Sequence, residues 1–381
     1  MKLVIDLTII KNINQITGIE RVALESSKYV IEKLASFEEN SLHIICSKKG
    51  SMYIKREFQN HISKKNIKFY SSPYTNRIFT DQLWLPFIID TIKPDNVYYT
   101  TLGIPIINKY PFCFIIHDAV AWAIPDTISK GMKYYYRPLL ERAVKNRMVK
   151  KVITVSNFSK KEIVNYLKVD ESKIVVNHLG VSNKFNFSNR MKDEVQISRN
   201  PIINTSKDYI ITIGTLEPRK NLQRLIEAFR ILKQEYGYSG SLMIVGREGW
   251  LNSLVIHEDI KDYVIFTGYV KDIDLYTLLK KAQVYVFPSL YEGFGLPLVE
   301  AMQLGIPIAS SNSGSLPEVG QSACEYFDPY DIDDMAAKIN IILSVNGKKE
   351  EYSKMGLTIA KNYTWEKHGK RLLNAILGET I

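Results

Sequence analysis

The sequence has few cysteines and no long apolar segment, and both absences exclude classes of protein. Its three cysteines, Cys46, Cys113 and Cys324, are far apart and form no CxxC pair. Neither a disulfide framework nor a zinc site is therefore predicted, and a reducing compartment is favoured. No run reaches the roughly 18 apolar residues of a membrane span. The apolar N-terminus is interrupted at Asp6, unlike a signal peptide, so we expect a soluble or peripheral protein.

Low-complexity segments and internal repeats of 20 to 50 residues are also lacking, which argues against disorder and against solenoid folds. The 381 residues are 45% hydrophobic and 24% charged, as in ordinary globular proteins. Because a domain typically spans about 100 to 200 residues, this length predicts two domains.

Positive charge is concentrated in the first half of the chain. Residues 1–190 hold 29 Lys and Arg against 16 Asp and Glu, whereas residues 191–381 hold 21 against 24. Residues 129–151 carry eight cations and one acid with interleaved Tyr, Leu and Met, which is typical of a helix at a membrane surface. A surface helix with an apolar core face and a solvated basic face fits equally well, whereas no nucleic-acid signature is present. The candidate surface cations are Lys133, Arg137, Arg142, Lys145, Arg147, Lys150 and Lys151.

Short β-branched runs alternate with helical patterns along the chain, which predicts two successive α/β domains with parallel sheets. Residues 182–207 are polar and lack periodicity, so the interdomain linker is placed there. The predicted strands are 3–7, 43–46, 97–101, 112–117, 152–156 and 173–177, followed by 209–214, 242–246, 264–268, 284–288 and 307–311. Ligands of such sheets bind beyond the carboxyl ends of the strands, and the cleft between two such domains is the expected site.

The segment VYVFPSLYEGFGLPLVE (284–300) reads as a strand, a glycine-containing loop and a helix that starts near Pro297. Glycines at a helix start let backbone N–H groups approach an anion closely. Glu292 in the loop and Glu300 in the helix would then both reach the strand ends. A plain strand-to-helix joint with a solvated Glu300 also fits the pattern, because the full GxGxxG is absent.

The segment ITIGTLEPRKNLQRLIEAF (211–229) places Arg219 and Lys220 between a strand that ends at Gly214 and an amphipathic helix. A planar guanidinium and a point-charge ammonium at a strand end suit a diphosphate. Polar capping of the helix start is the alternative interpretation.

Two further candidates lie in the first half. His117 follows an apolar strand, where it could donate to a sugar hydroxyl or a phosphate, although a lone histidine is commonly structural. Gly18 opens a predicted helix in TGIERV, where close backbone approach to a ligand is possible and a turn glycine is equally consistent.

Four segments together resemble glycosyltransferase family 4, the retaining nucleotide-sugar transferases of GT-B fold. Along the chain they are VITVSNFSKKEI (152–163), EPRKN (217–221), the pair Glu292 and Glu300, and LPLVEAMQLGIPIASSNSGSLPEV (296–319). They occur in the order and approximate spacing found in the family. The resemblance implies two Rossmann-like domains facing each other across a cleft. Residues 1–185 would bind the acceptor, 186–207 would be the linker, and 208–363 would bind the donor. A helix at 364–381 would cross back onto the first domain.

The resemblance also implies roles for single residues. Glu292 would face the donor sugar and Glu300 would bind the ribose hydroxyls. Lys220, assisted by Arg219, would bind the diphosphate, and His117 would lie near the reacting sugar. Gly18 would match the N-terminal loop glycine beside the diphosphate, and Phe294, Gly295 and Leu296 would offer backbone N–H groups to the diphosphate or the donor sugar. The loop from Gly268 to Leu275 would hold the base. The further donor-binding candidates are Gly214, Gly293, Tyr269 and Val270. One departure is Thr215, which stands where some relatives carry an arginine.

The expected reaction is metal-independent transfer of a hexose with retention, without a cofactor beyond the nucleotide-sugar substrate. The DxD match at 272–274, in the presumed base-binding loop, is interpreted as a helix N-cap. TLEPRKN and TGIERV look most like members that use GDP-mannose to build bacterial surface polysaccharides on lipid-diphosphate-linked glycans at the cytoplasmic face of the inner membrane. A UDP-hexose or GDP-deoxyhexose donor, a same-fold sugar-nucleotide epimerase and a non-catalytic nucleotide-sugar-binding subunit stay open as alternatives.

Overall fold

The computed structural model describes residues 1–11, 17–62, 64–100, 102–181, 208–250 and 254–378. The chain divides into two compact units, one formed by Met1–Gly180 with Thr364–Ile381 and the other by Val181–Tyr363. The linker predicted at 182–207 lies outside the described residues.

The first unit contains a parallel sheet of seven strands in the order β3-β2-β1-β4-β5-β6-β7. The central strands are buried on both faces by flanking helices, which explains their continuous apolar runs. The strands are β1 Lys2–Leu7, β2 Ser41–Cys46, β3 Ile67–Ser71, β4 Asn96–Tyr99, β5 Phe112–Ile115, β6 Val149–Thr154 and β7 Ile174–Val176.

The helices of the first unit connect these strands. They are α1 Gly18–Leu34, α2 Ser51–Glu57, α3 Gln59–Ile62, α4 Arg77–Phe79, α5 Leu85–Ile92, α6 Val120–Ala123, α7 Arg137–Ala143 and α8 Asn157–Leu167. Thr17 begins α1 with a capping box, because its hydroxyl accepts from the N–H of Glu20 while the Glu20 carboxylate accepts from the N–H of Thr17. π-helical turns at Thr80–Trp84 and Met132–Tyr136 precede α5 and α7.

The second unit contains a parallel sheet of six strands in the order β10-β9-β8-β11-β12-β13. Its strands are β8 Tyr209–Ile213, β9 Ser241–Val245, β10 Val264–Gly268, β11 Val284–Phe287, β12 Ile308–Ser311 and β13 Cys324–Phe327. Its helices are α9 Leu222–Gln234, α10 Asp272–Lys281, α11 Leu296–Gln303, α12 Leu316–Gly320, α13 Ile332–Ser344 and α14 Lys348–Ala360. Leu225, Ile226 and Phe229 of α9 enter the core together with Val284 and Val286 of β11.

The last helix, α15 (Trp365–Leu377), packs against α1 of the first unit. A side chain at Gly369 would collide with Tyr29, so glycine permits this close approach. The amide of Asn96 on β4 donates to the carbonyl of Ile376, and His368 is buried against the carbonyl of His178.

All eleven predicted strands are present, with ends shifted by a few residues. Two edge strands, β3 and β13, were not predicted. The interpretation of residues 129–151 as one helix was wrong for its second half, because α7 ends at Ala143 and β6 begins at Val149. The DxD match lies in the first turn of α10, whose N-cap position is Lys271 and not Asp272.

Candidate functional site

The sheet of the second unit brings two predicted segments together. Strands β8 and β11 are adjacent, with Ile210 opposite Val284, although about 70 residues separate them in sequence. The connections that leave this pair of strands run in opposite directions along the sheet, so β8 and β11 form its topological switch point. Residues 214–221 and 288–295 follow the two strand ends, and both carry candidate donor-binding residues.

Glu292 is the centre of a buried ion-pair network at these strand ends. Its Oε1 accepts from the ammonium of Lys220 at 2.5 Å and from Nη1 of Arg219 at 3.0 Å. Nε of Arg219 donates to the carboxylate of Glu217 at 2.9 Å. The four side chains are between 11% and 24% exposed, so the charges of the network are only weakly screened. Two cations thus face two carboxylates.

Electrostatics fix the protonation state of Glu292. Burial alone would raise the pKa of its carboxyl, but Lys220 and Arg219 outweigh burial and lower this pKa to about 2. The pKa of Lys220 is lowered by burial, and Glu292 opposes this shift. Glu292 is consequently ionised at physiological pH and can accept hydrogen bonds, but it is unsuited to act as a proton donor.

Backbone contacts hold the two loops in register. The N–H of Leu290 donates to the carbonyl of Arg219 at 2.8 Å. Asn221 has left-handed φ and begins α9, and its amide donates to the carbonyls of Pro288 and Pro329. The cations of the first loop are therefore positioned by the second loop.

The loop after β11 leads into α11 through Gly295, which has a φ of 86°. A Cβ at Gly295 would lie 2.8 Å from Leu316 and 3.1 Å from Phe287, so both the backbone conformation and the packing require glycine. Phe294 is buried and packs edge-on against Tyr363. Only the backbone of Phe294 is therefore suited to contact a ligand, as the resemblance implies.

Glu300 lies one turn into α11 and is partly exposed. The pKa of the Tyr285 phenol on β11 is raised well above its ordinary value. Burial is the largest cause, and the negative charges of Glu300 and Glu292 add to it. Tyr285 is fully buried, and its hydroxyl has no hydrogen-bond partner among the described residues. Both predicted glutamates thus lie on the Tyr285 side of β11.

Three glycines lie where the chain leaves β8, β9 and β10. The N–H of Gly214 donates to the carbonyl of Val245, and the N–H of Gly246 donates to that of Gly268. A Cβ at Gly214 would lie 3.2 Å from the side chain of Lys220, and one at Gly246 would collide with the carbonyl of Gly214. These glycines let the strand-end loops lie side by side next to Lys220.

The predicted base-binding loop follows β10. Tyr269 is exposed, and the guanidinium of Arg247 lies over its ring at 4.7 Å. Val270 is buried and Leu275 is partly buried, so these two side chains contribute packing.

The remaining predicted residues lie in the first unit. His117 follows β5, and burial, with a smaller contribution from the nearby His368, lowers its pKa to about 4. Its Nε2 is buried and has no hydrogen-bond partner among the described residues. Gly18 is exposed at the first position of α1, and a Cβ added there would meet no atom within 4 Å.

The predicted basic surface is less uniform than its sequence suggested. Arg137 lies over the ring of Trp122 and pairs with Glu141, and Lys151 donates to the carbonyl of Ser172. The other five cations are exposed: Lys133 in the π-helical turn before α7, Arg142 on α7, Lys145 and Arg147 between α7 and β6, and Lys150 on β6.

Sequence reasoning missed several residues that support the site. Gly314 has a φ of 66°, and a Cβ there would lie 2.8 Å from the backbone of Glu292. The N–H and hydroxyl of Ser315 both donate to the carbonyl of Glu292. The only signal was the SNSGS run (311–315), which belongs to a segment already recognised as family-like but given no role. Glu217 and Arg247 were likewise not selected.

Two features are absent from the part of the chain that the structure describes. No group of three or more His, Cys, Asp or Glu side chains there is arranged to hold a metal ion. None of the helices within those ranges combines the length and apolar character needed to cross a bilayer.

Comparison with known proteins identifies the family. The family profile described as Glycosyltransferase Family 4 matches residues 16–184, and that described as Glycosyl transferases group 1 matches residues 193–358. The chain is 33% identical over 263 residues to O-antigen chain mannosyltransferase B of Escherichia coli, covering 68% of each protein. The chain belongs to glycosyltransferase family 4. It is a glycosyltransferase, as the sequence predicted.

Another relative and two solved structures agree with this assignment. O-antigen chain mannosyltransferase RfbU of Salmonella typhimurium LT2 is 28% identical over 297 residues, covering 76% of this chain and 78% of RfbU. Anabaena HepE in complex with UDP and glucose superimposes with a TM-score of 0.69 at 15% identity, covering 99% of this chain and all of HepE. WaaG, a glycosyltransferase involved in lipopolysaccharide biosynthesis, superimposes with a TM-score of 0.66 at 14% identity, covering 99% of this chain and 100% of WaaG. The predicted GT-B class with two Rossmann-like domains is confirmed.

Proposed function

We propose that this family 4 enzyme transfers mannose from GDP-mannose, with retention of configuration, to a glycan of a bacterial surface polysaccharide. The observation that carries the proposal is the buried network of Lys220, Arg219 and Glu292 at the switch point of the second unit. Two relatives named as O-antigen mannosyltransferases support the choice of sugar.

The network suits the diphosphate of a nucleotide sugar. Glu292 pairs with both Lys220 and Arg219, so neither of these largely buried cations is left unpaired. A diphosphate would take over the ammonium and the guanidinium as its own partners. The displaced Glu292 carboxylate would then accept hydrogen bonds from hydroxyls of the donor sugar.

The remaining donor contacts follow from the loops around this network. Backbone N–H groups of Gly293, Phe294, Gly295 and Leu296 would contact the diphosphate or the sugar, at the positive end of the α11 dipole. Glu300 would accept from the ribose hydroxyls. The base would lie at the loop from Gly268 to Leu275, where Tyr269 and the adjacent Arg247 offer an aromatic face and a planar cation.

The chemical step requires charge stabilisation and little proton transfer by the protein. The acceptor oxygen would bond to the anomeric carbon as the bond from that carbon to the phosphate oxygen breaks on the same face. The acceptor proton would pass to the departing phosphate, whose charge Lys220 and Arg219 would stabilise. His117 is neutral at physiological pH because of its lowered pKa, so it would orient the reacting sugar by a hydrogen bond. Gly18 would contribute close backbone approach to the diphosphate. No metal or other cofactor has a role in this scheme.

The acceptor is proposed to be a lipid-diphosphate-linked glycan at the cytoplasmic face of the inner membrane. The first unit would bind it, and the excess of cations in the first half of the sequence would favour an anionic membrane surface.

The test is thermal unfolding with GDP, UDP, dTDP and ADP, followed by incubation with radiolabelled GDP-mannose and lipid-linked acceptor. A ligand at about 100 times its dissociation constant adds roughly 2.7 kcal/mol of stability, so GDP should raise the Tm by several degrees. The matched control is Lys220→Ala, Glu300→Ala, which should lose this shift. Stabilisation by UDP alone would contradict the GDP-mannose proposal and favour a UDP-hexose.

Product analysis separates the remaining alternatives. A transferase gives labelled glycan only when the acceptor is present, whereas an epimerase converts the donor without an acceptor. A non-catalytic subunit would bind GDP and release none from GDP-mannose, which would contradict the proposal.

A further inference from the structure

Five large apolar side chains of the first unit are exposed close together. Phe79 of α4 and Leu83 and Phe87, which follow along the same helical segment, are 49%, 60% and 68% exposed. Ile106 and Ile107, between β4 and β5, are 46% and 67% exposed. We call these five residues the apolar patch.

The patch is continuous across two segments of the chain. The side-chain amide of Gln82 donates to the carbonyl of Ile104, and its oxygen accepts from the N–H of Ile106. Phe87 and Ile107 line one shallow depression. The opposite face of the same helical segment is buried through Asp81, Leu85 and Ile89. The outward side chains therefore contribute little to the core of the unit.

Cations border the patch on the side of α7. Ile106 lines a second depression together with Arg142 and Lys145, both exposed. Gln82 also donates to the hydroxyl of Tyr135, which places the π-helical turn with Lys133 beside the patch. Two acids in this region, Asp90 and Glu141, are paired with Lys109 and Arg137. The border facing Ile106 is thus positive.

We propose that the apolar patch inserts into the headgroup region of an anionic bilayer, with Arg142 and Lys145 contacting lipid phosphates. Contiguous exposed apolar clusters mark interaction surfaces, and an apolar centre with a cationic border complements an anionic membrane. The inference deepens the membrane location proposed above and rests on it. It adds insertion by the helical segment 77–92 and the loop after β4 to the contact of cations from the basic segment 129–151.

Either signal alone gives weak, reversible binding, so both are needed. Each cation near an anionic surface contributes about 1 kcal/mol, and 1.4 kcal/mol corresponds to a factor of ten. Loss of Arg142 and Lys145 should therefore weaken binding roughly 25-fold. Loss of two inserted apolar side chains should weaken it at least about tenfold, on neutral as well as anionic vesicles.

The test is co-sedimentation of the full chain with vesicles of phosphatidylethanolamine and 30% phosphatidylglycerol, against phosphatidylcholine alone. Three double variants each lower the net charge by two: Leu83→Glu with Phe87→Glu, Arg142→Ala with Lys145→Ala, and the control Phe37→Glu with Met52→Glu. Phe37 and Met52 are 54% and 79% exposed but lie outside the patch, in the turn after α1 and on α2.

We expect the control to bind like the wild type, whereas the two other variants lose binding as stated. All variants should keep their Tm and its shift by nucleotide, so failure of the membrane proposal is distinguishable from failure of the donor site. Equal binding by the patch variant and the control, or no binding by the wild type, would overturn the proposal. A wild-type dimer that the patch variant converts to a monomer, with vesicle binding unchanged, would also overturn it in favour of a self-interface.

Discussion

The ammonium of Lys220 lies 2.5 Å from Oε1 of Glu292, and the guanidinium of Arg219 reaches the same oxygen. A carboxylate thus lies between the two cations that are proposed to bind the donor diphosphate. Glu292 therefore has an observed structural role as their ion-pair partner and a proposed role in binding the donor sugar. The effects of substitutions in this pair on stability and on activity should therefore be separable.

Removing either partner of this pair should affect both stability and activity. Lys220→Met leaves Glu292 buried with Arg219 alone, and we expect a loss of about 1.5 to 3 kcal/mol, the range for a hydrogen bond to a charged group. The value of kcat/KM should fall about 10² to 10³-fold, as on removal of one preorganised donor to a developing charge. Urea denaturation and initial-rate kinetics measure the two effects.

The double variant Lys220→Met, Glu292→Gln is the control for this prediction. It contains no unpaired charge at this site, so it should recover at least half of the lost stability. Activity should stay as low as in the worse single variant. Recovery of activity together with stability would show that the pair is only structural.

The free energy of unfolding should decrease at acidic pH because Glu292 becomes protonated. Its pKa is about 2 in the folded protein and near 4.5 when unperturbed, so the unfolded chain binds the proton first as pH falls. The stabilisation is complete above pH 5 and is lost between about 4.5 and 2. At about 1.4 kcal/mol per pKa unit, the stability difference between wild type and Glu292→Gln should shrink by about 2 kcal/mol from pH 6 to pH 3. Urea denaturation at both pH values measures this, and a constant difference would contradict the pKa shift.

Gly295 should be less tolerant of alanine than another glycine of similar conformation. Gly295 and Gly347 have φ of 86° and 79°, but a Cβ would meet Leu316 and Phe287 at Gly295 and no atom within 4 Å at Gly347. Left-handed φ alone costs an L-residue about 1 to 2 kcal/mol, so Gly347→Ala should lose about that much. Gly295→Ala should lose about 1 to 3 kcal/mol more from overpacking. Chemical denaturation measures both free energies of unfolding. Equal losses in the two variants would show that Leu316 moves to accommodate the added methyl group without cost.

Much of the fold could be predicted because central parallel strands are buried on both faces. Their apolar runs, such as FCFI in β5, stand out from the alternating helical patterns. The missed strands β3 and β13 lie at sheet edges, where the exposed Lys68 and the partly exposed Glu325 interrupt the apolar run. The segment 129–151 was misread because its cations recur across both a helix and the beginning of a strand.

The site was predictable where local chemistry marks it and not where distant contacts build it. Arg219, Lys220 and Glu292 were selected because each lies next to a strand end. The pairing between them joins residues more than 70 positions apart, which no local pattern reveals. Ser315, which binds the Glu292 backbone from the start of α12, was missed for the same reason.

Gly18 offers the clearest separation of a binding role from a structural one. It occupies the first turn of α1 without positive φ, and an added Cβ would meet no atom within 4 Å. Gly18→Ala should therefore keep stability or gain up to about 1 kcal/mol, since alanine restricts the unfolded chain. If the backbone approaches the donor diphosphate as proposed, the methyl group would intrude there and raise the KM for the donor at least about tenfold. The KM for the acceptor should change little.

The control for this prediction is Ser36→Ala, at an exposed position after α1. This substitution should leave both KM values unchanged. Gly347 is unsuitable as a control here because of its positive φ. An unchanged donor KM in a stable Gly18→Ala variant would contradict the proposed contact, because no loss of folding could account for the result.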